Sequence, residues 1–248
     1  MVPRDASTSA SPSHIAMPEF SQNDLKQAAG ARAAALLTDG MIVGLGSGST
    51  ATLAVKEIGR RVKEGLKIVG VPTSEQTGQL ARQLGIPLSD LTEHEQIDIT
   101  IDGADEVELG TLNLIKGRGG ALLREKLVAS ASERLVIVVD ESKLVDQLAV
   151  RDAIPTEVVP FGWRTTAKRL RRIGARISPR LNPDGQMFVT DGGHYILDCW
   201  FDDVRTAATF EQELDAVVGL VEHGLFIGIT TEVIVGTGQG IRLMTPRQ

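Results

Sequence analysis

The run "RLVIVVDES", residues 134–142, is apolar at nearly every position until it reaches Asp140. A strand turns successive side chains to opposite faces. An unbroken apolar run therefore means burial on both faces, the habit of a parallel sheet covered by helices on each side. The flanking sequence fits. Strand-like "MIVGL", "KIVGV" and "IDITID" alternate with helix-like "SQNDLKQAAGARAAALL", "ATLAVKEIGRRVKEG", "TSEQTGQLARQLG" and "GGALLREKLVASASE". Such alternation predicts βαβ units, and Thr73…Gln76 suggests a capping box at the start of the third helix.

The pattern changes near Ile154. "IPTEVVPF", "WRTTAKRLRRIG", "ARISPRL", "MFVTDGGHYILDCWF", "TAATFEQELDAVVG" and "LVEHGLF" follow in order, with two strands expected around the Gly-Gly turn. Leaving the small "MFVTD" strand aside, this is β-α-β-β-α-β, a split βαβ arrangement. "EVIVGTGQGIRLM" reads as two closing strands that return to the first unit. The expected fold is α/β: a Rossmann-like, mostly parallel sheet domain with an inserted ferredoxin-like (split βαβ) α+β domain. The expected boundaries are a disordered tail over 1–18, a catalytic α/β unit over 19–150 plus 223–248, and a lid or oligomerisation unit over 151–222.

Composition narrows the class of function. The 248 residues carry 26 Lys and Arg against 32 Asp and Glu, a net charge of −6. That balance argues against nucleic-acid binding by bulk charge. No apolar run reaches membrane-spanning length, so no membrane partner is expected. The start lacks the apolar core of a secretory signal; its Ser/Ala bias suggests a tail or, as a lesser account, an organelle address. The one cysteine, Cys199 in "YILDCWF", reads as a small core residue before a catalytic thiol. A cytoplasmic setting suits this usage.

Three glycine-rich turns carry the chemistry. "GLGSGSTA", Gly44 to Ala51, joins a strand to a helix start, where backbone N–H groups favour an anion and Ser47, Ser49 and Thr50 add hydroxyls. It is not a P-loop, since Gly-Lys-Ser/Thr is missing. A dinucleotide site is disfavoured because "VGVPTS" has no acidic residue for a ribose. "DGADEVE" sets Asp102 and Asp105 beyond a strand's carboxyl end, although an ordinary Asp-Gly turn is the simpler account of the pair when taken alone. In "IKGRGGALLREK", Lys116 precedes a Gly-rich turn and Glu125 rides the helix after it. One account is surface charge laced by local pairing; the other is a second anion turn beside a catalytic carboxylate. The histidines His14, His94, His194 and His223 are scattered without metal-ligand spacing, and no metal is expected. Carboxylates, lysines, hydroxyls and anion turns together suit proton transfer on a phosphorylated metabolite.

"GLGSGSTA", "TIDGADEVE", "KGRGGALLREK" and "DESK", in this order, resemble ribose-5-phosphate isomerase of type A, and the resemblance extends through "PTEVVPFGW", "VTDGGHYILD" and "VEHGLFIG". It implies cofactor-free interconversion of D-ribose 5-phosphate and D-ribulose 5-phosphate in the non-oxidative pentose phosphate branch, by a homodimer or homotetramer. By motif, Glu125 corresponds to the general base that moves a proton between C2 and C1 through an enediol. Asp102 and Asp105 correspond to groups that hold sugar hydroxyls and assist ring opening, and Lys116 to the cation that favours negative charge on the reacting oxygens and keeps Glu125 ionised. The implied substrate-binding set is Ser47, Gly48, Ser49 and Thr50; Gly103 and Ala104; Gly117, Arg118 and Gly119; and Lys143, with Lys26 as a phosphate contact. Many members have only glycine after the lysine, whereas this chain has Arg118, which questions the donor role of that residue's backbone. A sugar-phosphate sensor module would share the Ser/Thr turn but has no use for Glu125, and no helix-turn-helix precedes the turn. A CoA-transferase-like enzyme would use Glu125 as a nucleophile.

Overall fold

The computed structural model describes residues 21–202 and 205–246. The expected tail over residues 1–18, with His14, lies outside them. The chain begins α1 (Gln22–Ala34), β1 (Ile42–Leu45), α2 (Ser49–Lys63), β2 (Val69–Pro72), α3 (Glu75–Leu84) and β3 (Ile97–Asp102). It continues through short β4 (Glu106–Glu108) and β5 (Leu114–Ile115) to α4 (Leu122–Ser130), β6 (Ser132–Asp140), a 3₁₀ turn (Glu141–Lys143) and β7 (Leu144–Val145). Next come β8 (Ile154–Val158), α5 (Trp163–Arg172), β9 (Arg176–Pro179), β10 (Tyr195–Trp200), α6 (Ala207–Asp215) and β11 (Leu220–His223). β12 (Leu225–Phe226), β13 (Glu232–Thr237) and β14 (Gly240–Met244) close the chain.

The main sheet has the order β14-β13-β6-β3-β1-β2. All its pairings are parallel except β13 with β14. The double-sided burial read from "RLVIVVD" is real. Val136 and Val138 pack with Ala33, Val55 and Ile58 of α1 and α2, while Leu135, Ile137 and Val139 pack with Leu114, Ala129 and Phe226 on the other face. The chain goes from β1 outward to β2, then back past β1 to β3, so the connections leaving β1 and β3 diverge. A crevice opens where an α/β sheet reverses its strand order in this way.

β8 to β11 form a separate antiparallel sheet, ordered β11-β8-β10-β9, with α5 and α6 packed on a core of Ile154, Val158, Leu170, Leu197, Cys199, Phe210 and Leu214. This is the split βαβ order expected. Cys199 is fully buried, and burial raises its thiol to about 12.

Three local expectations change. "MFVTD" does not form a strand: Met187 and Val189 make only isolated bridges, because Thr190 is tied into a turn by Gly193 N–H and His194 N–H. The cap of α3 is Ser74, which accepts from Thr77 N–H, while the Thr73 hydroxyl donates to Leu45 O. "LVEHGLF" is two strands, not one. The chain passes at Gly224 from the second sheet to a small third sheet, β12-β5-β4-β7. There Gly224 accepts from Lys116 N–H and donates to Pro155 O. A β-carbon on Gly224 would sit 2.1 Å from Lys116 O, so only glycine fits. Gly224→Ala is expected to cost about 1–3 kcal/mol by overpacking, read as a lowered melting temperature, with activity reduced because Lys116 must shift.

Candidate active site

Four carboxyl ends of the main sheet meet at the crevice. β1 runs into Gly46–Gly48, whose backbone turns sharply: Gly48 has φ +89° and ψ 174°, a conformation open only to glycine. Gly48 is also the N-cap of α2 and offers no side-chain cap. The first N–H groups of α2 thus remain available to an anion. β2 runs into Thr73 and Ser74, β3 into Asp102 and Gly103, and β6 into Asp140 and the 3₁₀ turn bearing Lys143.

Ser47, Gly48, Ser49, Thr50, Gly103, Ala104, Asp105, Lys116, Gly117, Arg118, Gly119, Glu125 and Lys143 line one cavity of about 280 Å³. Two further candidates border it. Asp102 is buried beneath, and Lys26 reaches in from α1 to donate to Ser49 Oγ at 3.4 Å, 3.7 Å from Asp140 Oδ2. A larger cleft of about 690 Å³ lies along α3 and residues 88–93, but its ionisable side chains are all exposed or half-buried.

Asp102 is the anchor. Its Oδ1 accepts from Ser47 N–H at 3.0 Å and Gly103 N–H at 2.7 Å, which ties the β1 turn to the β3 turn. Lys116 Nζ lies 3.0 Å from Asp102 Oδ2, 3.3 Å from Glu125 Oε1 and 2.6 Å from the Gly103 carbonyl to which it donates. All three ionisable side chains are at most 6% exposed. Glu125 Oε2 is buried and lacks a hydrogen-bond partner among the described residues. Burial pushes the Glu125 carboxyl up to about 8, with the Asp102 and Asp105 charges adding to the rise and Lys116 opposing it. Burial also raises Asp102 against the pull of Lys116. Lys116 is itself raised: burial works against its charge, but Asp102 and Glu125 outweigh it. Lys116 thus favours the ionised form of Glu125, in the expected direction, while burial works against it. One cation is shared by two buried carboxyls, and both are raised.

The remaining candidates divide by what their polar groups do. Ser47 Oγ is shared with Thr73 Oγ1 at 2.8 Å, Ser74 Oγ at 2.9 Å and Thr77 Oγ1 at 3.2 Å, so this hydroxyl braces the turn against the start of α3. Of these three partners the sequence points only to Thr73, and that as a helix cap, although all three sit at the strand-to-helix junction of the next βα unit. Asp105 Oδ2 accepts from Arg118 N–H at 2.9 Å. The doubt over the backbone at 118 is answered in these terms: that N–H is already used. The Arg118 side chain is 57% exposed and pairs with Asp152 at 2.5 Å. Glu106, although adjacent to Asp105, turns away and accepts from Ala149 and Asp152 N–H groups. No group of three or more His, Cys, Asp or Glu among the described residues is placed to hold a metal ion.

The arrangement joins an anion cradle to a buried carboxyl with one free oxygen beside a lysine. The chain is similar to known proteins over most of its length. A family model described as ribose 5-phosphate isomerase A (phosphoriboisomerase A) matches residues 69–240. A protein of Gloeobacter violaceus named ribose-5-phosphate isomerase A is 54% identical over 222 residues, covering 90% of this chain and 96% of that protein. One of the same name from Gluconobacter oxydans is 49% identical, covering 89% and 96%. The solved ribose 5-phosphate isomerase A of Methanocaldococcus jannaschii superposes with a TM-score of 0.87 at 40% identity, over 91% of this chain and all of that one. That of Plasmodium falciparum gives 0.87 at 38%, with the same coverage.

Proposed function

Because this chain belongs to the ribose 5-phosphate isomerase A family, we propose that the cavity between the β1 and β3 turns is where it performs its aldose–ketose isomerisation, with Glu125 as the base. The protein interconverts D-ribose 5-phosphate and D-ribulose 5-phosphate. The observation that carries the assignment of the base is the buried Glu125 carboxyl, whose Oε2 has no hydrogen-bond partner among the described residues and which faces the same cavity as the uncapped start of α2.

The phosphate is held at Gly48–Thr50, with Lys26 and Lys143 supplying positive charge. Binding there, remote from the reacting carbons, contributes orientation. Asp102 and Asp105 hold sugar hydroxyls and assist ring opening. Glu125 takes the C2 proton of the open aldose, and electron density moves onto O1. The O2 proton passes to O1 across the cis-enediol, and Glu125 returns its own proton to C1 as O2 becomes the ketone oxygen. The Lys116 ammonium and the Gly119 N–H stabilise the negative charge that develops on the two oxygens. A sensor module would have no need to bury an ionisable carboxyl beside the sugar, and this favours the enzyme.

Two structural parts of the reading rest on packing. Residues 151–222 are proposed as a unit in their own right, supported by their own sheet and core. Assembly into a homodimer or homotetramer is supported by exposed Phe161 and Val218 on that unit, 95% and 72% accessible. A cytoplasmic setting is part of the same proposal, consistent with a single, buried, free cysteine. No helix among the described residues is long and apolar enough to cross a membrane.

The test is isomerisation of ribose 5-phosphate by the purified protein as a function of pH. Only ionised Glu125 can act as base, so kcat/KM should rise about tenfold per pH unit and level off above about 8. A profile already flat from pH 5 would overturn the assignment. The same shift has a stability consequence of opposite sense. The folded state holds the Glu125 proton more tightly than a free glutamate near 4.5. Its contribution to stability is therefore full below that pH and fades as pH rises through about 8.

A further inference from the structure

We infer that Arg180, which touches neither the cavity nor the reacting atoms, is the positioning residue that aims the Gly119 N–H into the site; the link to catalysis rests on the isomerase reading above. Arg180 follows β9 in the second sheet, and its side chain is 16% exposed. Asp198 of β10 grips one edge of the guanidinium through Nε at 3.1 Å and through Nη2. The other edge reaches across to the first unit, where Nη1 donates to Gly117 O at 2.7 Å and Arg118 O at 3.0 Å.

Those two contacts decide the direction of two peptide planes. No peptide among the described residues is cis, and a trans peptide points its C=O and N–H opposite ways. With Gly117 O held toward Arg180, Arg118 N–H must point away, and it donates to Asp105 on the cavity side. With Arg118 O held the same way, Gly119 N–H also points away from Arg180, and Gly119 lines the cavity. Gly117 O is also held by Gly120 N–H at 3.0 Å, but among the described residues Arg118 O accepts only from Arg180, so without it the Arg118–Gly119 peptide has little to resist a flip. Gly117 sits at φ +103°, and glycines on both sides of Arg118 admit the conformations a flip needs. A flipped plane would turn a carbonyl oxygen toward the site where negative charge develops. Arg180 therefore acts mainly on the transition state. A planar fork gripped by a carboxylate suits this task, and lysine, a point charge, cannot reproduce it.

The test is Arg180→Ala, Arg180→Lys and Asp198→Asn, with Arg176→Ala as control; Arg176 lies on the same sheet in an exposed pair with Asp202. Arg180→Ala should lower kcat by about 10²-fold, near the loss for one oxyanion donor, with KM changing much less. Millimolar guanidinium should restore part of the loss, and Arg180→Lys should stay impaired. Independently of turnover, hydrogen exchange at Arg118 N–H should accelerate in Arg180→Ala and, less strongly, in Asp198→Asn. Arg176→Ala should behave as the parent in every readout. If Arg180→Ala fails to fold, Asp198→Asn decides by the same two measurements. Unchanged exchange, or unchanged kcat with accelerated exchange, overturns the inference. A parent protein that does not isomerise ribose 5-phosphate overturns the functional reading instead, and the exchange measurement then still decides whether Arg180 holds the turn.

Discussion

Glu125→Gln is expected to lower kcat by about 10²–10⁴-fold, the contribution of a positioned base, without loss of fold. The amide has the shape of the acid and can still accept from Lys116, but it cannot take a proton from carbon. The exchange of substrate hydrogen with solvent should fall in parallel with turnover, because both pass through the same proton on the same oxygen. Stability should be preserved or raised, since the substitution removes a buried carboxyl that one lysine only partly compensates. Its melting temperature should also decline less than the parent's between pH 5 and 8, because the group responsible for that decline is gone. Turnover within a few-fold of the parent would remove Glu125 from the mechanism.

Lys116→Met should be the most damaging single change to the folded state. Methionine fills similar volume, so the loss is chiefly one of charge. Asp102 and Glu125 then lie buried without their cation, and breaking a buried pair in this way costs about 3–5 kcal/mol. The cost should depend on pH in a definite direction. With the lysine gone both carboxyl pKa values rise further, so the folded variant retains protons that the unfolded chain releases, and stability falls as pH increases. Denaturation at pH 5 and pH 8 should show the larger deficit at pH 8. Activity should be lost at both. A deficit equal at the two values would mean that the carboxyls do not depend on Lys116.

The legibility of this molecule in its sequence follows the length scale of each feature. β6 was readable because a doubly buried strand writes an apolar residue at nearly every position. The split βαβ unit was readable because two amphipathic helices separate its strands. The third sheet was not, because strands of two or three residues show no period. The break at Gly224 is imposed by a carbonyl from Lys116, far away in sequence, and nothing local announces it. Glu125 illustrates the limit for the site. In "LREK" a glutamate between two cations reads as solvated surface. Only the way α4 packs makes it nearly inaccessible, and only the ordered motifs of the resemblance singled it out. Burial, in turn, raises its carboxyl to about 8, a shift that no local pattern announces. Arg180 ends an unremarkable "ISPR", and its reach to another unit's backbone has no counterpart in the sequence.

The junction at Gly224 has a temporal side. The acceptor for Lys116 N–H comes from near the far end of the chain, and β13, which covers the open edge of β6, comes later still. A polypeptide emerging from the ribosome therefore carries every charged group of the cavity well before it can hold them in register. Strands β12 and β13 seal the site, and competence waits on their arrival.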